Sequence, residues 1–149
     1  MLDEKVALAQ WLVADRWDNF TNPEISCEHA VARTERGDFH GEDRRTYWIT
    51  TNGHTRVGLI QLYDLLNSTA MFDIRINTTH RGRGIGRKAV KWLTDVVFSQ
   101  YGTIARLEAH TRQDNLAMRK TLLACGFVKE AHDRGGWLAG WLAGWLAGW

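Results

Sequence analysis

The residues best suited to chemistry lie together in Arg81-Gly82-Arg83-Gly84-Ile85-Gly86. The surrounding stretch from Arg75 to Lys91 also holds Arg75, His80, Arg87, Lys88 and Lys91, and no acidic residue. Glycine removes side chains where backbone N–H groups must approach a ligand closely, and a helix starting there adds the positive end of its dipole. Phosphates suit such a site. The same residues would also serve as a plain turn on a solvated basic face, so the context has to decide. The spacing is not the Gly-x-Gly-x-x-Gly of a dinucleotide fold, and no Gly-Lys-Ser/Thr follows as in a nucleotide P-loop.

A phosphate turn works only with a strand leading in and a helix leading out. Met71 to Asn77 alternates apolar Phe72, Ile74 and Ile76 with Asp73, Arg75 and Asn77, which predicts a strand. Ile85, Ala89, Trp92, Leu93, Val96 and Val97 recur at helical spacing, which predicts a helix over Ile85 to Phe98. Upstream, Leu2 to Trp17 reads as an amphipathic helix. A second helix is expected after Pro23, with Glu24 in its first turn, Ile25, Ala30 and Val31 on one face, and Gly37 as its stop. Tyr47 to Thr51 and Val57 to Leu62 flank Asn52-Gly53 as a hairpin. Downstream follow a strand (Ile104 to Thr111), a helix (Asn115 to Ala124), Gly126 as its stop, and a short strand (Phe127 to Ala131). The class is α/β of the mixed α+β kind.

The chain has 149 residues, 44% hydrophobic and 24% charged, which suits one domain with one core. A net charge of +2 is too small to imply nucleic acid as a partner, and the basic stretch lacks the interleaved aromatics of a nucleic-acid binder. Acidic residues enter at Asp3 and Glu4, unlike a secretory signal, so a cytoplasmic location is expected. Cys27 and Cys125 are far apart and belong to no Cys/His ligand cluster; both are read as reduced thiols, and no metal site is expected.

Arg81, Gly84 and Gly86 match the signature of the GNAT superfamily of acetyl-CoA-dependent acetyltransferases: Arg or Gln, two residues, Gly, one residue, then Gly or Ala. The family's second landmark, an Asn that opens a helix ending in Gly-Phe, is similar to Asn115 through Gly126-Phe127. The resemblance covers about Leu2 to His132 and is closest to the subgroup that acetylates ribosomal-protein N-termini. It implies a GNAT fold, a mostly antiparallel twisted sheet flanked by helices, and transfer of acetyl from acetyl-CoA by direct attack of an amine on the thioester.

By the same resemblance, Arg81, Gly82, Arg83, Gly84, Ile85 and Gly86 supply pyrophosphate N–H groups. Ile74 and Ile76 lie on the strand that pairs with the pantetheine arm, and Asn115 approaches that arm. No metal is required. Glu108 matches the acidic strand residue that some members use as base, although on a solvent-facing side it would be an ordinary surface carboxylate. Asp73 is the second candidate, and His110, which shares a strand face with Glu108, the third. Relatives place a Tyr or a Ser as acid where this chain has Leu122 and Met118, and neither of these can donate a proton. Water, Thr121 or another hydroxyl would then serve; otherwise the protein is a catalytically weak acyl-CoA-binding module. Trp17, Phe20 and the segment from His132 to Trp137 are expected walls of the acceptor pocket, with a core role the competing reading for Trp17.

The resemblance ends at the tail. Residues 1–136 form the acetyltransferase domain, and residues 137–149 repeat Trp-Leu-Ala-Gly, a low-complexity run where the family has its last strand. The run is too short to span a bilayer, which needs ~20 residues. As a helix it would carry Gly140, Gly144 and Gly148 in its interior, each at ~1 kcal/mol relative to Ala, so a strand turned back on Phe127 to Ala131 is preferred. The tetranucleotide TGGC, repeated, encodes Trp-Leu-Ala-Gly in every frame, which points to slippage in the gene; scattered synonymous codons would refute it. Exposed Trp137, Trp141, Trp145 and Trp149 would favour a homodimer or adhesion to a membrane surface.

Overall fold

A computed structural model describes residues 4–17, 24–53, 55–112, 114–132 and 138–144. Helix α1 (Glu4–Val13) turns Leu8, Ala9 and Leu12 inward. Helix α2 (Cys27–Glu35) starts later than Pro23 suggests. Ser26 takes an extended backbone and its hydroxyl accepts the His29 amide at 3.1 Å, so this cap sets the first turn. Glu24 and Ile25 therefore precede the helix, and Val31 faces solvent. Ile25 still joins the apolar cluster of Leu8, Leu12, Trp17, Ala30 and Phe39, but from the connecting segment. Gly37, at φ +84°, ends α2 as expected.

Strands β1 (Arg45–Thr51) and β2 (Thr55–Tyr63) form the hairpin, with Asn52 and Gly53 both at positive φ, the conformation Asn-Gly favours. Strand β3 (Thr69–Ile76) runs antiparallel to β2, placing Leu62 opposite Phe72 and Ile60 opposite Ile74. A short 3₁₀ turn (Thr78–His80) leads to helix α3 (Ile85–Gln100), which crosses over to β4 (Arg106–Arg112), parallel to β3. Helix α4 (Leu116–Ala124), strand β5 (Val128–His132) and strand β6 (Leu138–Gly144) complete the order.

The sheet runs β1-β2-β3-β4-β6-β5, so β6 lies between β4 and β5 and is antiparallel to both. One face packs on α3 and α4: Val90, Leu93, Val97 and Leu122 meet Ile60, Leu62, Ala70, Phe72, Leu107 and Ala109 in a single cluster. The other face receives α1 and α2 through Leu59. The result is a mixed α/β fold with helices on both sides of a mixed sheet.

Candidate active site

The site begins where two strands part. β3 and β4 pair in parallel from Thr69/Arg106 to Phe72/Ala109 and no further. Beyond that point Asp73 to Ile76 stay paired to β2, while His110 to Arg112 stay paired to β6. The facing edge of β3 is left without a strand partner among the described residues. A cavity of about 1040 Å³ fills the opening, with Phe72 to Ile76 on one wall, His110 to Arg112 on the other, and α4 and the glycine turn closing it.

Gly82 and Gly84 adopt φ +76° and +77°, a region that side-chain-bearing residues resist, and Gly84 is the N-cap of α3. The first helical bond runs from the Lys88 amide to the Gly84 carbonyl at 3.2 Å. The amides of Ile85, Gly86 and Arg87 have no backbone acceptor among the described residues and are free for an anion. Gly86 serves packing: an added Cβ would sit 3.3 Å from Ile76 Cδ1. The Arg81 side chain braces the turn, donating from Nε to the Ile76 carbonyl at 2.8 Å and from Nη2 to the Arg16 carbonyl at 3.2 Å. Thr78 is tied to the same segment, its amide donating to the Asp15 carboxylate at 2.6 Å and its hydroxyl to the other oxygen. Arg83 is exposed and lies off the cavity wall, where Arg87 stands instead.

Ile74, Ile76 and Asn115 all line the cavity. Asn115 is also the cap of α4, its Oδ1 accepting the Met118 amide at 3.1 Å. Strand alternation sends Phe72 and Ala109 into the α3/α4 core, so Asp73, Arg75, Glu108, His110 and Arg112 take the opposite face. Asp73 and His110 line the cavity; Glu108 does not, but its Oε1 is in hydrogen-bond contact with His110 Nε2. Burial raises the Asp73 pKa against the opposing pull of Arg75, Arg33 and His110. Burial likewise lowers Arg75 to about 10, against Asp73. The Arg75 guanidinium lies 5.3 Å from the Trp17 ring centre.

Arg112 and Tyr63 were not singled out by sequence reasoning, and Arg75 entered only as a member of the basic stretch around the glycine turn. Arg75 and Arg112 line the cavity, and the Tyr63 phenol is pushed up by burial and by the carboxylates of Asp73, Asp64 and Glu108. The available signal was the same-face spacing of Asp73 with Arg75 and of His110 with Arg112. Trp17 joins both its readings: it is 1% exposed, donates Nε1–H to the Leu12 carbonyl at 2.9 Å, and lines the cavity. Phe20 and residues 133–137 lie outside the described residues. Leu122 is fully buried in the core, while Met118, half-buried against that core, and Thr121 both line the cavity. Cys125 is a free thiol whose pKa burial raises, and Cys27 is free and exposed. Among the described residues no group of His, Cys, Asp and Glu could hold a metal, and no helix is long and apolar enough to cross a membrane.

A mixed sheet opened beside its parallel pair, with a helix N-terminus and glycine turn at the foot of the opening, is an arrangement built to take an anionic, extended ligand. The family model described as Acetyltransferase (GNAT) domain matches residues 3–128, and the chain belongs to that family. It is a GNAT-type acetyltransferase. Spermidine N-acetyltransferase from Vibrio cholerae, in complex with CoA and spermine, is similar at TM-score 0.76 and 18% identity, covering 96% of this chain and 91% of its own. An aminoglycoside acetyltransferase in complex with coenzyme A is similar at TM-score 0.75 and 16% identity, covering 97% and 92%. A domain from Methanocaldococcus jannaschii is similar at TM-score 0.76 and 17% identity, covering 97% and 94%. None of the curated proteins matches the chain in sequence.

Proposed function

We propose that this protein transfers acetyl from acetyl-CoA to a primary amine, that of a protein N-terminus or a small molecule. The observation that carries the reading is the end of β3–β4 pairing at Phe72/Ala109, directly above the open amides of Ile85 to Arg87. The diphosphate belongs on those amides, and the pantetheine arm beside Ile74 and Ile76, with Asn115 across from them. The acceptor enters from the α1/α2 face, where Asp73, Glu108 and His110 supply the basic group that frees the amine. Two leading helices and a hairpin ahead of the glycine turn are in keeping with the ribosomal-protein N-terminal subgroup, and the two free thiols suit the cytoplasm. In this reading the Trp-Leu-Ala-Gly repeat stands in for the family's last strand and supports a homodimer; an unchanged mass on size exclusion after removal of residues 137–149 would exclude the dimer.

Calorimetry with acetyl-CoA, followed by free-CoA release with tripeptides, spermidine and an aminoglycoside, tests the activity. Micromolar binding and turnover of one acceptor are expected. Gly84→Val, which forces a β-branched residue to positive φ, is expected to weaken acetyl-CoA binding at least ~10-fold. Binding without turnover would favour the second reading, an acyl-CoA-binding module. The observation behind that reading is that Leu122, buried in the core, and Met118, an apolar side chain on the cavity wall, stand where relatives carry a proton donor.

A further inference from the structure

Three groups on the α1/α2 face could take the acceptor's proton, and the geometry divides their roles. We propose that His110 is the base of the acetyl transfer and that Glu108 is a positioning residue behind it; this rests on the acetyltransferase reading above. His110 lies on the cavity wall, and Glu108 lies off it. Their one contact joins His110 Nε2 to Glu108 Oε1. A carboxylate in that position accepts the Nε2–H, which fixes the neutral ring in the tautomer whose lone pair is on Nδ1. Nδ1 makes no hydrogen bond among the described residues, so it is the atom open to a proton. Asp73 also lines the wall, but no hydrogen bond among the described residues orients its carboxylate. Only His110 combines access to the cavity with a group that holds it in place, which is what a base in catalysis needs.

The proton balance follows. The acceptor arrives as an ammonium and gives one proton to His110 Nδ1, and the imidazolium so formed is held by the Glu108 carboxylate. The freed amine attacks the thioester carbon, forming the C–N bond as the C–S bond breaks. The second proton of the nitrogen goes to the departing sulfur, leaving amide and free thiol. His110 then returns its proton to water. Of the other charged and titratable groups, Asp73 on β3 feels His110 and is itself acted on by Arg75 on β3 and Arg33 on α2, Tyr63 on β2 feels Asp73 and Glu108, and Arg112 follows His110 on the same face of β4; the partner of His110 on β6 is Gly140.

The test compares full-length wild type, His110→Gln, Glu108→Gln and Asp73→Asn. Each is titrated with acetyl-CoA by calorimetry and then assayed from acid to alkaline pH with the fastest tripeptide or polyamine acceptor. All four are expected to bind acetyl-CoA with affinities within about threefold, which also certifies folding. His110→Gln should lose ~100-fold or more in kcat/KM at neutral pH and lose the wild-type acid limb, keeping only the rise set by deprotonation of the acceptor ammonium itself. Glu108→Gln should keep that limb and lower kcat with the acceptor KM little changed, because only the hold on the ring is weakened. With a hydrazide acceptor, already neutral at pH 7, the loss in His110→Gln should shrink to a few-fold. A limb abolished by Glu108→Gln or Asp73→Asn and kept by His110→Gln would overturn the assignment, as would equal losses on both acceptors. A wild type that ignores acetyl-CoA or acetylates no amine would instead defeat the acetyltransferase reading itself.

Discussion

At the scale of single residues, Asp73 shows a buried carboxylate working against stability. Its carboxyl pKa is raised in the folded chain, chiefly by burial, even with Arg75 beside it. A raised folded value means that the group favours the native state below the ordinary carboxylate range and loses that advantage as pH rises through its folded pKa. At neutral pH the ionised Asp73 is therefore a net cost to folding. Asp73→Asn mimics the protonated acid, so its melting temperature should exceed that of wild type at pH 7 and converge with it near pH 3. A variant that melts lower at pH 7 would show that the charge beside Arg75 is worth more than its desolvation. Leu122 gives the opposite case: fully buried in the α3/α4 core, it should cost ~2–5 kcal/mol when changed to Ala, read from denaturant unfolding.

Among the elements, the β2–β3 pair sets the geometry of the opening. Gly58 lies opposite Ile76, and a Cβ there would run into the Arg75 carbonyl oxygen, a backbone atom that cannot step aside. Gly58→Ala should therefore detach the end of β3 that leads into the glycine turn, weakening acetyl-CoA binding even where the protein still folds; unchanged binding would show that β3 can shift. The elements themselves were mostly legible in the sequence, because their signals are local. Asn52-Gly53, Asn115 and Gly37 act on their immediate neighbours and were read correctly. Ser26 acts just as locally, yet Pro23 was given the start of α2. Of the candidate site, the glycine turn and the helix behind it were legible. Which of Asp73, Glu108 and His110 reaches the cavity depends on where β3 and β4 stop pairing. That is a meeting of residues more than thirty apart in the chain, and no periodicity within either strand encodes it.

For the molecule as a whole, the sheet divides two apolar clusters, one under α1 and α2 and one under α3 and α4. β6 is an interior strand, and β5 has no ladder other than with β6 among the described residues. A chain ending at Gly136 should thus lose both ladders together and melt ~10 °C lower or fail to fold, as followed by circular dichroism. An unaltered melting curve would mean that the repeat contributes nothing to the sheet. A different consequence comes from the bonds of Thr78 to Asp15 and of Arg81 to the Arg16 carbonyl, which tie the glycine turn to the segment carrying Trp17. Stiffening one end of that tether must be felt at the other, and thermodynamic reciprocity makes the exchange even-handed. If acetyl-CoA prepares the Trp17 side for the amine, then an amine resting on Trp17 tightens acetyl-CoA by the same factor, and the order of arrival becomes a matter of rates alone.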